Sequence, residues 1–588
     1  MSVHANRLAD LRTHMQGNGI DAVLVRSTDE YLNEYVPAEK SRRVFITGFS
    51  GSMGDALITQ DTAMLFVDGR YALQARQEAP HFDVRVMTLS QSIESGWLSV
   101  LDQALALKDR SLAVEFDRIP VSLFEDIQEV ATSKSLSLVN SSDVFSPFWQ
   151  QICPTDNHLD GNKIWPLDIS LAGESTHEKF TRTQLFFEES GLDAFVIVPL
   201  DEIAWLANLR GNDFPFQSTF ASRAVALPNH LIIGTTKEHI ANTQSIQGIS
   251  FVENVQLIEG AQKHFPNKRF RVGLDPNQTP ELVRRQLSAM DAEIVSIQSP
   301  FRSMKAIKNE NELLHMRESF AKADNVVHQT QHWLCKQIEA QTPVTEADVD
   351  NFVRAQFKKS GTIELSFRPI CASGKNGAVI HYGTPDSKTP IKPGTLFLLD
   401  TGGLYAGGYA TDLTRTFFVG PKTHKPTPEQ KRLFTLTLKG SIAGMSARFP
   451  KGSVGMQLDA IVRDPIWRAG YNYEHGTGHG VGINVHEFPP RIGPGNTTPI
   501  EVGHVFSIEP GIYLPGFGGI RIENLCTVVE DPDNNNFLRV LPLTFAPFDS
   551  RLIESTLLTR HEKEFLVYFK RCFLLSQTHL PPLPPVLG

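Results

Sequence analysis

HGTGHGVGINVHE, residues 475–487, sets His475 and His479 four apart and follows them with His486. Residues four apart share one face of a helix, and H-x-x-x-H on a helix suggests a paired metal site. Glycine, however, stands at positions 476, 478, 480 and 482, and each glycine inside a helix costs about 1 kcal/mol relative to alanine. The stretch is therefore expected to be extended, with its histidines in separate roles. Any metal held here must find its other ligands elsewhere in the chain.

Four acidic residues offer themselves. LFLLDTGG ends an apolar strand on Asp400, and ATDLTRTFFVG carries Asp412 in a strand able to pair back as a hairpin. FSIEPG ends another apolar strand on Glu509, stopped by Pro510-Gly511, and IRIENLCTVV puts Glu523 inside a β-forming run. A carboxylate among Leu, Ile, Val and Phe must be paired, protonated or metal-bound. Pairing serves for any one of them, such as Glu523 with Arg521, but too few cations lie nearby for all four. Four carboxylates carry −4 and two divalent ions carry +4. Four carboxylates with one imidazole make a hard, oxygen-rich set that favours Mn²⁺ and admits Co²⁺, Fe²⁺ or Zn²⁺. Two such ions roughly 3.5–4 Å apart hold a bridging hydroxide and polarise a carbonyl, which is the chemistry of hydrolysis.

The region around these residues opens near Ser299. Leu313, Met316, Phe320, Ala323 and Val327 recur at helical steps and predict an amphipathic helix. Thr345 with Asp348, and Thr427 before Pro428, mark two further helix starts. Short strands and glycine turns lie between and after them, which indicates an α+β domain.

Upstream the chain repeats itself. GIDAVLVRSTDEYL from Gly19 is echoed by GLDAFVIVPLDEIAWL from Gly191, each preceded by an apolar-periodic stretch. This predicts helix, turn and buried strand twice, a duplicated α/β domain. The glycine-serine stretch at 48–54 lacks the Gly-Lys-Ser/Thr end of a phosphate loop, so a strand-to-strand turn is expected there. The polar segment 154–175 separates the copies and is expected to be a linker, and LPPLPPVLG at the end to be a polyproline tail.

With 588 residues, 41% apolar and 21% charged, the chain should fold as several soluble domains. A net charge of −9 with no basic stripe argues against nucleic acid as a partner. Five scattered cysteines without C-x-x-C fit reduced thiols in a cytoplasm. The apolar runs are of strand length, and the amino terminus has no apolar signal region, so neither a membrane span nor a signal peptide is expected.

The motifs LLDTGG, TDLTRTF, HGTGHGVG, SIEPGIY and GIRIENL, in this order, resemble those of the pita-bread metallopeptidases, the family of methionine aminopeptidase, prolidase and aminopeptidase P. DEYLNEY, GFSGSMGDALIT and DGRYALQA in the first region, with DEIAWLANLRGND in the second, look like the long three-domain form of aminopeptidase P. The resemblance implies two creatinase-like α/β domains, over 1–158 and 174–300, followed by a pita-bread α+β catalytic domain over 301–575 and a tail at 576–588. It implies two metal ions: Asp400 on one, His479 and Glu509 on the other, Asp412 and Glu523 bridging. His381, in NGAVIHYGTP, and His475 and His486 match further site histidines of the family.

The implied reaction is metal-dependent hydrolysis between an amino-terminal residue and a following proline, by attack of a metal-bridging hydroxide. Glu509 would shuttle the proton, His486 would donate to the oxyanion, and His381 and His475 would orient the peptide. Arg521 is expected to support Glu523 in preference to reaching the substrate. Peptides with proline in second place are the implied partners, and a homodimer is common in the family. Prolidase, which cuts only dipeptides, and a catalytically silent binding module are the rival readings. Two departures stand out: Asp400 to Asp412 is one residue longer than the family's usual spacing, and His479 to His486 is shorter than in animal cytosolic long forms. The extra residue is expected in GGLYAGGYA, as a bulge or longer loop.

Overall fold

The computed structural model describes residues 2–89, 91–104, 110–148, 163–243, 245–265, 269–421 and 423–576. Cys153, residues 154–162 of the expected linker, and residues 577–588 of the expected tail lie outside them. The chain forms two compact units. One contains Met1–Ile169, Glu174–Pro215 and Thr219–Phe301; the other contains Arg302–Gly588 with the short segments Ser170–Gly173 and Phe216–Ser218.

In the first unit the sequence echo becomes two sheets of one topology. Helix α1 (Val3–Gly17) leads to β1 (Ala22–Val25), followed by β2 (Asp55–Thr59), β3 (Ala63–Asp68), β4 (Asp83–Met87), β5 (Ser111–Val114) and β6 (Ser137–Asn140). Helix α2 (Thr176–Ser190) leads to β7 (Ala194–Ile197), then β8 (Arg223–Leu227), β9 (His230–Thr235), β10 (Ile249–Glu253), β11 (Arg271–Leu274) and β12 (Glu293–Ser296). The strand orders are 4-3-2-1-5-6 and 10-9-8-7-11-12. In each sheet the central strand pairs antiparallel on one side and parallel on the other. Every residue of β1 and β7 is buried, as Gly-x-Asp-Ala followed by an apolar run predicts for a central strand.

Two expectations need correction. Residues 48–54 run from a short helix, Arg42–Thr47, into β2, so they connect helix to strand. Phe45, Ile46 and Thr47 pack inside as one helical turn. In the expected linker, Ile164–Pro166 is a strand paired antiparallel with Leu209–Gly211, and Ile169–Ala172 is a helical turn. Backbone pairing there overrides the polar, proline-punctuated composition.

The second unit is α+β. Helix α3 (Glu310–Glu339) starts at an Asn309 capping box with Glu312. Met316, Phe320, Ala323 and Val327 form its buried stripe, as the periodicity predicts, with Leu313 at the margin. Thr345 with Asp348 caps α4 (Glu346–Ser360), and Thr427 with Pro428 starts α5 (Pro428–Met445). Strands β13 (Ile370–Ser373), β14 (Thr395–Thr401) and β15 (Leu413–Val419) form an antiparallel sheet. Phe397 and Leu399 of β14 pack with Val327, Val353 and Phe357 of α3 and α4. Strand side chains alternate, so Asp400 falls on the opposite face.

Further along come β16 (Arg448–Pro450), α6 (Gly455–Trp467), β17 (Gly478–Gly480), β18 (Glu487–Ile492), β19 (Val505–Ile508), β20 (Gly511–Leu514), β21 (Gly518–Arg521), β22 (Asn524–Glu530), β23 (Phe537–Pro542) and α7 (Arg560–Ser576). Six of the strands form a sheet in the order 16-23-22-19-17-18, and β20 and β21 form a hairpin. Phe506 and Ile508 of β19 pack into a core with α5, α6 and α7, which turns Ser507 and Glu509 to the other face. Asp400 with its register partner Thr414 thus lies on the face turned from α3 and α4, and Ser507 with Glu509 on the side turned from the α5–α7 core. Among the described residues Cys335, Cys371, Cys526 and Cys572 are free thiols, and no helix is long and apolar enough to cross a membrane.

Candidate metal centre

The acidic residues sit where strands end. Asp400 is next to last in β14, Asp412 precedes β15, and Glu509 follows β19. Glu523 occupies the break between β21 and β22, so it is not inside a strand as its β-forming run suggests. The hairpin register sets Asp400 opposite Thr414. The chain between Asp400 and Asp412 turns over Tyr405–Gly408, where the Gly408 N–H donates to the Tyr405 carbonyl and Gly408 takes φ +70°.

HGTGHGVG is not helical, as glycine's cost inside a helix predicts: Gly478–Gly480 is a strand and the residues either side are irregular. His479 is the middle residue of β17, which lies between β18 and β19. A Cβ on Gly478 would run into the Ser507 carbonyl, and one on Gly480 would stand 2.8 Å from the Glu487 carbonyl. Only glycine lets this strand fit between its neighbours, and His479 is thereby held over the Ser507–Glu509 face.

Asp412, His479 and Glu523 each offer one ligand atom, all within 4.8 Å of one another. His479 Nε2 stands 3.5 Å from Asp412 Oδ2 and 3.5 Å from Glu509 Oε1. Thr414 Oγ1 donates to Glu523 Oε2 at 2.7 Å, and Ser507 Oγ to Glu509 Oε1 at 3.4 Å. Asp400 is buried, with Oδ2 on Arg521 at 2.6 Å and Oδ1 left without a hydrogen-bond partner among the described residues. Burial, and then the neighbouring carboxylates, pushes Asp412 and Glu523 well above the usual carboxylate range. Buried oxygens crowded by like charge, one of them unpartnered, are the environment that divalent cations neutralise. The donor set of four carboxylates and one imidazole fits two hard ions.

Arg521 departs from its expected pairing. Its guanidinium reaches Asp400, the Tyr513 hydroxyl at 2.9 Å, Thr414 Oγ1 at 3.1 Å and the Ile380 carbonyl at 3.4 Å. It serves Glu523 through Thr414, because a guanidinium's fork spans several acceptors and Asp400 lies directly in its path. Tyr513, which the sequence did not single out, has its hydroxyl pushed up to about 12 by burial.

The three further histidines lie around this cluster. His475 is buried, with Nε2 2.9 Å from the Tyr513 hydroxyl and Nδ1 2.7 Å from the Gly476 carbonyl and 3.9 Å from Glu509. His486 stacks edge-on against His479, with ring centroids 4.3 Å apart. His381 is half-buried and follows Ile380, whose carbonyl contacts Arg521.

Each histidine-bearing segment has a buried anchor that sequence reasoning missed. Arg463 donates to the Tyr473 and His475 carbonyls at 2.9 and 2.6 Å. Glu487, next to His486, takes Lys305 and Lys308 at 2.8 and 3.0 Å and the Ile483 N–H at 2.7 Å. Those lysines hold the Glu487 carboxyl down at about 2 against the pull of burial. Glu346 anchors the His381 segment. Adjacency to a site histidine could have flagged Glu487; Arg463 and Glu346 carry no such signal.

Residues 7–147 and 156–312 each match the creatinase/prolidase N-terminal domain, and 315–530 match metallopeptidase family M24. A protein of Laccaria bicolor named probable Xaa-Pro aminopeptidase P is 33% identical over 95% of this chain and 88% of its own. One from Pyricularia oryzae, with the same name, is 34% identical over 97% and 95%. The crystal structure of an X-prolyl aminopeptidase from Caenorhabditis elegans, described as a cytosolic enzyme with a di-nuclear active site, superposes with a TM-score of 0.87. It shares 25% identity and covers 98% of this chain and 96% of its own. An Xaa-Pro dipeptidase from Bacillus anthracis, 26% identical with a TM-score of 0.54, covers 64% of this chain and 99% of its own. The architecture is two creatinase-like α/β domains followed by a pita-bread α+β domain, and the chain belongs to metallopeptidase family M24.

Proposed function

We propose that the protein is a metal-dependent aminopeptidase that hydrolyses the bond between an amino-terminal residue and a penultimate proline. The observation that carries this reading is the Asp400–Asp412–His479–Glu509–Glu523 cluster, with Asp400, Asp412 and Glu523 buried and His479 and Glu509 half-buried at its edge. It lies in a chain whose relatives over nearly its whole length are named for that activity. Asp412 and Glu523 would face both ions, Asp400 one of them, and His479 with Glu509 the other. The ions would be Mn²⁺, or Co²⁺, Fe²⁺ or Zn²⁺; the hard donor set supports Mn²⁺. Bound there, they would supply carbonyl polarisation and an activated water.

The chain's own groups do the rest. Glu509, half-buried at the edge of the cluster, takes the proton of the attacking water and passes it to the leaving proline nitrogen. His486, stacked beside His479, donates to the scissile carbonyl oxygen as charge develops. His381 orients the peptide. His475 has the Tyr513 hydroxyl on one ring nitrogen and the Gly476 carbonyl on the other, so it orients the peptide by holding Tyr513.

The duplicated amino-terminal domain supports an aminopeptidase over prolidase, since the C. elegans X-prolyl aminopeptidase matches 98% of the chain and the B. anthracis dipeptidase 64%. Domain limits at 1–158, 174–300 and 301–575, with a tail at 576–588, go with this reading, and the three matched family spans support their number and order. A cytoplasmic location is supported by the description of the C. elegans neighbour, and homodimerisation is part of the same proposal. The test is to give the purified chain with Mn²⁺ Arg-Pro-Pro, a longer Xaa-Pro peptide and an Xaa-Pro dipeptide. Release of the first residue from both longer peptides is expected. Cleavage of the dipeptide alone would show a prolidase, and no metal-dependent cleavage would show a binding protein.

A further inference from the structure

Glu346 opens helix α4 directly after its N-cap, Thr345. A glutamate in a first helical turn favours the helix dipole from an exposed position, which needs no tertiary partner. Glu346 is instead 2% exposed, and its carboxylate turns to one segment, residues 373–386. Oε1 accepts from the Ser373 N–H at 2.6 Å and Asn376 Nδ2 at 3.0 Å. Oε2 accepts from the Tyr382 hydroxyl at 2.8 Å, the Asp386 N–H at 2.9 Å and Asn376 Nδ2 at 3.2 Å. The Ala347 N–H in turn donates to the Asp386 carbonyl at 3.2 Å. These donors bracket His381 on both sides, and one of them is its immediate neighbour.

The opposite side of the segment rests on the β20–β21 hairpin without intervening side chains. A Cβ on Gly377 would stand 2.9 Å from the Gly519 nitrogen, and one on Gly519 would meet the Gly377 carbonyl. Arg521, at the end of that hairpin, contacts the Ile380 carbonyl and Asp400. The segment is thus held between a carboxylate on the helix side and a glycine seat on the metal side. The hairpin seat is backbone against backbone and sets how close the segment lies. The carboxylate, which bonds at both ends of the segment, sets where along it His381 is presented.

We propose that Glu346 is a positioning residue for His381: its carboxylate fixes the 373–386 segment so that the histidine meets the peptide beside the metal cluster. This rests on the peptidase reading. Glutamine at 346 keeps the shape and one acceptor oxygen, but whichever way the amide turns its NH₂ meets a donor, the Ser373 N–H on one side or the Asp386 N–H on the other.

The test uses the full chain loaded with Mn²⁺ and the variants Glu346→Gln, His381→Ala and the double variant. Tyr382→Phe, which removes one of the bonds, serves if Glu346→Gln fails to fold. Misplacement of a peptide-orienting group predicts a fall in kcat/KM on the order of 10- to 100-fold for Glu346→Gln, with metal content unchanged. Because Glu346 acts through His381, the double variant should lose no more than His381→Ala alone. Amide hydrogen exchange of the metal-loaded protein should quicken in 373–386 and stay level in 395–419 and 505–530. Losses that multiply in the double variant, or exchange in 373–386 that does not change, would overturn the proposal. So would a Glu346→Gln enzyme with wild-type kinetics where His381→Ala is impaired. A wild type inert toward every Xaa-Pro peptide would overturn the peptidase reading instead, and the exchange result then decides the anchoring by itself.

Discussion

Arg521 shows how much one side chain carries in this site. It is fully buried, and its donors reach Asp400, Thr414, Tyr513 and the backbone before His381. A lysine offers a point charge on a flexible stem and could satisfy one of these acceptors at a time. Arg521→Lys should therefore let Asp400 and Tyr513 move independently. By the usual effect of removing a group that orients a metal ligand, metal affinity or activity should fall about 10- to 100-fold. Metal titration of chelator-stripped protein, followed by peptide assay, measures both. Wild-type metal affinity together with wild-type turnover would show that Asp400 needs no orienting partner.

At the scale of elements, the segment from β18 to β19 carries a pH liability away from the metal ligands. His504 precedes β19, is 1% exposed, and accepts the Glu501 N–H on Nδ1 at 3.0 Å. Burial, and then Lys308, pushes its imidazole down to about 3. The folded state therefore holds His504 neutral, while the unfolded chain takes up a proton near pH 6.5. A folded-state value below the unfolded one means stability present above pH 6.5 and lost as pH falls toward 3. At pH 5 the difference is about 2 kcal/mol. His504→Gln keeps an acceptor for the Glu501 N–H and removes the titration. Thermal scans at pH 7 and pH 5 should show a smaller loss for the variant than for the wild type. Parallel losses in both would mean that His504 is protonated without cost in the fold.

For the whole molecule, the two units should answer differently to metal. Every proposed ligand lies in the unit built on residues 302–588, and buried carboxylates there repel one another until cations arrive. An ion that binds only the folded state stabilises by about 2.7 kcal/mol at 100 times its Kd. Calorimetry with and without Mn²⁺ should raise one unfolding transition and leave that of the amino-terminal unit in place. Equal shifts in both transitions would mean that the units unfold as one.

Much of this protein was legible along the chain. The Gly-x-Asp-Ala echo specified two α/β sheets, because a buried central strand and its preceding helix are written in local periodicity. The glycines of HGTGHGVG specified an extended histidine, because only glycine tolerates a strand so closely flanked. Carboxylates among apolar, strand-forming residues announced a charge that had to be neutralised. What the sequence could not decide was partnership. Arg521 meets Asp400 across 121 residues and Lys308 meets Glu487 across 179, while its near neighbour Glu523 gets no direct bond from Arg521 and is reached by way of Thr414. Whether Glu346 faced solvent or the His381 segment was equally open, because a helix's first turn reads the same in either place. Periodicity and steric permission act between neighbours in sequence and are visible there; ion pairs and hydrogen-bond anchors depend on which distant elements packing brings within 3 Å, and only the tertiary structure settles that.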